Sequence, residues 1–172
     1  GQLDELQTAA LIAGVVKGSG YDLILLGKQE IDLDSGQLGP ALAEALDLPH
    51  VGATVKLELA ADGKSLLARR RIEGAEEVVQ MALPAVVTAD KGLCEMRYPS
   101  LPNLMKAKKK PVKVLKAVDV PGFSDAMGRL GGTALHTFQP PPERPPGKLI
   151  AGEPDQAAKE LIRLLREEAK AI

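Results

Sequence analysis

The chain has 172 residues, 45% apolar and 26% charged, and its 22 basic and 23 acidic residues leave a formal net charge of −1. That suffices for one core, and the charge balance argues against general nucleic-acid binding, which needs a large basic excess. One Cys excludes a disulfide framework and a thiolate zinc site, two His leave little for metal or acid–base chemistry, and two Tyr, two Phe and no Trp argue against a base-stacking platform.

In chain order, the first segment reads as a helix with Leu3, Leu6, Ala10, Val15 and Val16 on one face, ended by Gly18 and Gly20. The start carries acids and no basic stretch, so no signal peptide is expected. Asp22 to Gly27 is a short apolar run bounded by glycines, as expected for a strand buried on both faces of a parallel sheet. A polar loop from Lys28 to Ser35 leads into a helix from about Gly36 to Leu46. Beyond Pro49, apolar residues alternate at period 2, and turns at residues 61–64 and Glu73-Gly74 divide residues 51–83 into a three-strand meander. Pro84 to Thr88 is a further apolar strand. Residues 89–110 read as loop with a short helix from Pro102 to Lys109, and Val112 to Lys116 as an edge strand. A glycine-rich stretch leads to a strand-like run, Thr133 to Phe138. Residues 140–146 hold five of the 13 prolines, a stiff extended linker, and an amphipathic helix starts at about Pro154 with Ala158, Leu161, Ile162, Leu165 and Ala169 on one face. The fold class is α/β: a Rossmann-like, mainly parallel sheet with an antiparallel meander and a C-terminal arm. The expected division is 1–138 and 139–172. No segment has the roughly 18 consecutive apolar residues that a membrane span needs, so no insertion is expected.

Two segments are candidates for function. The first is Gly27, Lys28, Gln29, Glu30, Ile31, Asp32, Leu33, Asp34, Ser35, Gly36, Gln37 and Leu38. It lies between a buried strand and a helix, the crevice where open α/β sheets bind nucleotides. Asp34 or Ser35 is placed to cap the helix, and free N–H groups beside Gly36 suit a phosphate. The pattern is neither a P-loop nor a calcium loop, since Gln37 and Ala43 stand where the latter needs Gly and Glu. A plain capped β–α loop is the alternative.

The second candidate lies within about 89–111. Between Met96 and Val118 there are Arg97, Lys106, Lys108, Lys109, Lys110, Lys113 and Lys116, with no acid among them. Such a local charge in a near-neutral chain steers acidic partners. Leu101 beside Pro102 reads as an apolar anchor ringed by charge, a common hot-spot arrangement. A solvated lysine face with Leu101 folded inward is the alternative. Cys94 is expected to be an inert thiol, His50 a surface residue and His136 structural. No catalytic residues and no metal site are assigned.

These segments resemble the β subunit of electron-transfer flavoprotein. Asp22 to Asp32 resembles that family's adenine-nucleotide loop. Arg69-Arg70-Arg71-Ile72-Glu73-Gly74 followed by Leu83 to Asp90 resembles its signature, and Arg97 to Lys110 its partner-recognition loop. The resemblance implies a heterodimer with an α subunit, AMP held structurally by the β subunit, and FAD held mainly by α. It implies electrons passing from acyl-CoA dehydrogenases or related flavoenzymes to a membrane quinone oxidoreductase. Docking would use Tyr98, Leu101, Pro102, Met105, Lys106, Lys108 and Lys109, and the last helix would wrap around α. The chain would then be an electron carrier in fatty-acid β-oxidation, cytoplasmic in a bacterium or in the matrix of a mitochondrion. A bifurcating member would hold a second FAD in place of AMP. The family's first third has no counterpart here, so the nucleotide-binding domain is expected to be N-terminally incomplete relative to the family. Arg71 stands where relatives carry an acid, Ala75 replaces the second residue of the usual turn pair, and Leu33 and Gly36 depart from both common loop versions. A universal-stress-type nucleotide-binding protein shares the strand–loop–helix plan and is the rival reading.

Overall fold

The computed structural model describes residues 3–129, 136–137, 139–144 and 146–172. They form two compact units, divided after Ala134. The first unit opens with α1, Glu5–Val16. Asp4 caps it: its carboxylate accepts from the Gln7 N–H at 2.8 Å, and the Gln7 side chain accepts from the Asp4 N–H at 3.2 Å. The buried stripe is Ala9 and Ala13, whereas Leu3, Leu6 and Val15 of the expected face are exposed. Small residues let α1 lie close against Leu42 of α2, Leu38–Leu46, with Ile12, Ile24, Leu26 and Leu46 around them.

The sheet runs β1-β5-β2-β3-β4, with β1 Leu23–Gly27, β2 His50–Leu59, β3 Ser65–Ile72, β4 Ala75–Ala82 and β5 Ala85–Ala89. β5 is parallel to both β1 and β2, and β2-β3-β4 is an antiparallel meander. The expected α/β class is therefore correct, with a mixed sheet. The doubly buried strand is β5: Ala85, Val86, Val87 and Thr88 are all buried. β1 occupies an edge instead, and its Leu25 is 56% exposed. On one face Val51, Leu66, Ala68, Met81, Ala85 and Val87 make a core within the coiled sheet, and α1 and α2 cover Ile24 and Leu26 on the other. β2 changes register between Val51 and Thr54 and again before Lys56, with Ala53 at φ +55°. This bulged segment is where β2 passes from its parallel to its antiparallel partner.

After β5 come α3, Leu101–Lys108, a 3₁₀ turn at Ala117–Asp119 and α4, Phe123–Arg129. Val112 to Lys116 forms no strand, and Val112 and Val114 are each 85% exposed. A period-2 pattern makes a strand only where a neighbour offers a ladder, and here there is none. The expected strand at 133–138 lies largely outside the described residues; His136 and Thr137 belong to no element and are exposed. In the second unit α5 spans Pro154–Glu167 with Leu164 buried. Ala158, Leu161 and Ile162 of its apolar face are exposed in the single chain, and Arg163 bonds Glu160 and Glu167 at 2.7 Å each. Among the described residues no helix is long and apolar enough to cross a membrane.

Candidate functional site

The two sequence candidates start side by side at the C-terminal ends of adjacent parallel strands. The Lys28 N–H donates to the Ala89 carbonyl at 2.9 Å, and Lys28 Nζ lies 3.5 Å from an Asp90 carboxylate oxygen. Lys91 N–H, and after it the Lys28 charge, hold the Asp90 carboxyl below its ordinary range. That end of an open sheet is where ligand-binding loops gather.

The loop from Lys28 to Gln37 is organised by its own side chains. Glu30 turns back and accepts from the Ser35 hydroxyl at 2.8 Å and from the Gly36 N–H at 3.0 Å, both on one carboxylate oxygen. Backbone and hydroxyl donors together hold Glu30 ionised below its usual range. Gln29 donates to Asp34, whose own φ is +56°, and Gly36 sits at φ +62°. Asp34 and Ser35 were the expected caps of α2. Neither is: Gln37 is the N-cap and makes no side-chain bond, because Ser35 is engaged by Glu30 and Asp34 by Gln29. Ile31 and Leu33 point their apolar side chains outward. Gly27 and Leu38 bound this framework, and Asp32 within it makes no side-chain hydrogen bond among the described residues.

The donors needed for a phosphate are thus present, and they fit an anion, since one carboxylate oxygen already takes two of them. Ser35, Gly36 and the start of α2 are the groups that would hold a nucleotide phosphate, with Ile31 and Leu33 offering apolar surface.

Beneath α2 lies a niche that composition did not reveal. A Cβ on Gly39 would fall 2.2 Å from Thr88 Cγ2 and 3.3 Å from His50 Nε2. Thr88 is almost fully buried and its hydroxyl accepts from the Ala53 N–H at 3.4 Å. His50 is therefore half-buried rather than a surface residue, and its Nε2 has no hydrogen-bond partner among the described residues. Burial, then the Arg70 charge, lowers its pKa. The one legible signal was Thr88, a polar residue inside an otherwise apolar buried strand.

The second candidate is fully outward. Tyr98 is 84% and Leu101 73% exposed, and Leu104 and Met105 are also exposed. No residue of α3 is buried. Leu101 is thus not folded inward. Pro102 sits in the first turn of the helix, where a missing N–H costs nothing, and Lys106 and Lys108 sit in the last turn, complementing the dipole, with Lys109 as C-cap. Cys94 is exposed. Among the described residues no three His, Cys, Asp or Glu side chains gather as a metal site. A hollow lined by Lys56, Glu58, Leu67, Arg69 and Val78 lies on the meander, but its charged groups are paired, Lys56 with Glu58 and Arg69 with Glu76.

Residues 1–120 match the model of the electron transfer flavoprotein domain. The chain is 44% identical over 170 residues to the electron transfer flavoprotein subunit beta of Bacillus subtilis, covering 98% of this chain and 64% of that protein. It is 38% identical to the subunit of that name from Sus scrofa over 96% of this chain and 60% of the other, and 39% identical to that of Homo sapiens over 92% and 59%. The chain thus spans less than two thirds of the length of these curated relatives. It belongs to the electron transfer flavoprotein domain family.

Proposed function

We propose that the chain acts as the β side of an electron carrier: it pairs with a flavin-holding α subunit, keeps AMP in the loop Lys28 to Leu38, and presents Leu101 to a flavoprotein dehydrogenase. The observation that carries this reading is the likeness, over nearly the whole of this chain, to proteins named electron transfer flavoprotein subunit beta. The site supports it in two places. The loop offers a phosphate-sized set of donors at the end of β1, and Leu101 stands exposed on a helix followed by lysines. FAD, held mainly by the α subunit, would supply the redox chemistry. This chain's residues contribute a phosphate cradle, an apolar anchor and a basic surface that orients the donor. Electrons would leave toward a membrane quinone oxidoreductase. No residue of this chain is assigned a bond-making role.

The reading is tested by co-purifying the chain with its α subunit, denaturing the complex and identifying the released nucleotides. One FAD with one AMP is the expected outcome, and two FAD would reassign the loop to a second flavin. Leu101→Ala should lower the rate of reduction by the dehydrogenase by about tenfold or more and leave nucleotide content unchanged, since a central anchor carries about 2 kcal/mol or more. An unchanged rate would remove Leu101 from the docking surface.

A further inference from the structure

We propose that Glu30 is an internal anion that occupies the phosphate cradle of this loop, so that a phosphate enters only by displacing it. This rests on the nucleotide reading of the loop given above. One carboxylate oxygen takes both the Ser35 hydroxyl, at 2.8 Å, and the Gly36 N–H, at 3.0 Å, across a five- to six-residue turn. These are the donors that immediately precede α2 and that an entering phosphate oxygen would use. Carboxylate and phosphate oxygens compete for such donors because both are ionised acceptors of the same charge-assisted bonds.

The charge around the cradle adds to this. Between Lys28 and Leu38 there are three carboxylates, Glu30, Asp32 and Asp34, and a single cation, Lys28, which lies against Asp90 at 3.5 Å. An entering phosphate therefore meets a negatively charged loop whose donors are taken. The lowered pKa of Glu30 keeps it ionised and in place at neutral pH. Glu30 is a specificity-determining residue: it weakens ligands through their phosphate and leaves recognition of the nucleoside part alone.

The test compares the full chain with Glu30→Ala and Glu30→Gln. Titration with inorganic phosphate is followed at the Gly36 backbone amide by NMR, and AMP and adenosine are titrated by calorimetry. The expected result is phosphate and AMP binding about tenfold or more tighter in Glu30→Ala than in the unaltered chain, with adenosine the same in both. Glu30→Gln, which keeps an acceptor oxygen and so the loop's fold, should fall between them. Phosphate and AMP binding equally or less tightly to both variants would overturn the proposal, because Glu30 would then only brace the loop. Phosphate tightening at Gly36 without AMP binding by any form would uphold the gate and overturn the nucleotide reading of the chain by itself. No binding of either ligand by any form would overturn both.

Discussion

His50 shows what a single side chain can do without any role in chemistry. Its ring is packed against Gly39 and Gly52, its Nε2 is buried and has no partner among the described residues, and the charge closest in influence is that of Arg70. All of this favours the neutral ring, so the folded pKa lies below the ordinary 6.5. A lowered histidine pKa means that the unfolded chain binds more protons between the two values. Stability is therefore full above the unfolded pKa and falls as pH drops below it, levelling off beneath the folded pKa. Denaturant midpoints measured from neutral to mildly acid pH should decline, and His50→Gln should flatten that decline between the two pKa values. An unchanged slope would place the titration elsewhere. Glu30 acts in the same direction at lower pH: its folded pKa is also lowered, so its contribution is present above the unfolded carboxylate value and is lost as pH falls through the folded one. Neither effect is visible in the sequence. Glu30 and His50 stand as ordinary polar residues until the backbone brings Ser35 and Gly39 to them from five and eleven positions away.

At the scale of elements, the contact of α2 with the sheet depends on one missing side chain. Thr88 belongs to β5, which lies between β1 and β2, and is almost fully buried. Gly39→Ala would drive a methyl to within 2.2 Å of Thr88 Cγ2. Overpacking of this kind costs roughly 1–3 kcal/mol, more than the gain of up to about 1 kcal/mol in helix propensity. Gly128 in α4 is the opposite case: among the described residues nothing lies within 4 Å of its Cβ position, and its φ is ordinary. Urea unfolding should show Gly39→Ala destabilised and Gly128→Ala unchanged or slightly more stable, and equal effects would refute the packing argument. Within the core, Leu42 is completely buried between α1 and α2, so Leu42→Ala should cost about 2–5 kcal/mol. The same scale explains what could be read in advance. The meander was legible because alternation and the turns at Gly63 and Gly74 agree. β1, α2, α3 and α5 were legible because apolar runs meet Pro and Gly at their ends. The partnerships were not. Leu23 to Gly27 has the pattern of a central strand yet lies at an edge, and Val112 to Lys116 has the pattern of an edge strand yet pairs with nothing. Helix faces slipped for the same reason: in α1 the closest approach selects Ala9 and Ala13 over larger residues. A short helix such as α4, flanked by glycines, leaves no periodic signal to read.

Over the whole molecule, a net charge of −1 conceals a strong separation. Arg97, Lys106, Lys108, Lys109, Lys110, Lys113 and Lys116 contribute +7 with no acid among them, so the remaining residues carry −1 − 7 = −8. The structure places α3, the centre of that basic stretch, wholly on the surface, with Leu101 and Met105 between the charges. A basic surface of this kind steers an acidic partner as it approaches, and the effect acts on the rate of encounter more than on the lifetime of the complex. Screening length falls from about 30 Å at 0.01 M salt to about 8 Å at physiological strength, so the effect is sensitive to salt. If the chain docks a dehydrogenase through this face, the partner's surface there is acidic. The second-order rate constant for reduction should then fall steeply as salt rises, and a Lys106→Ala, Lys108→Ala, Lys109→Ala triple variant should be slow at low salt and nearly insensitive to it. Leu101→Ala should act in the complementary way, shortening the complex's lifetime at every salt concentration, because an apolar contact is not screened. A rate independent of salt in the unaltered chain, or a triple variant that keeps the full salt dependence, would show that the basic stretch is a solvated surface and that recognition lies elsewhere on the molecule.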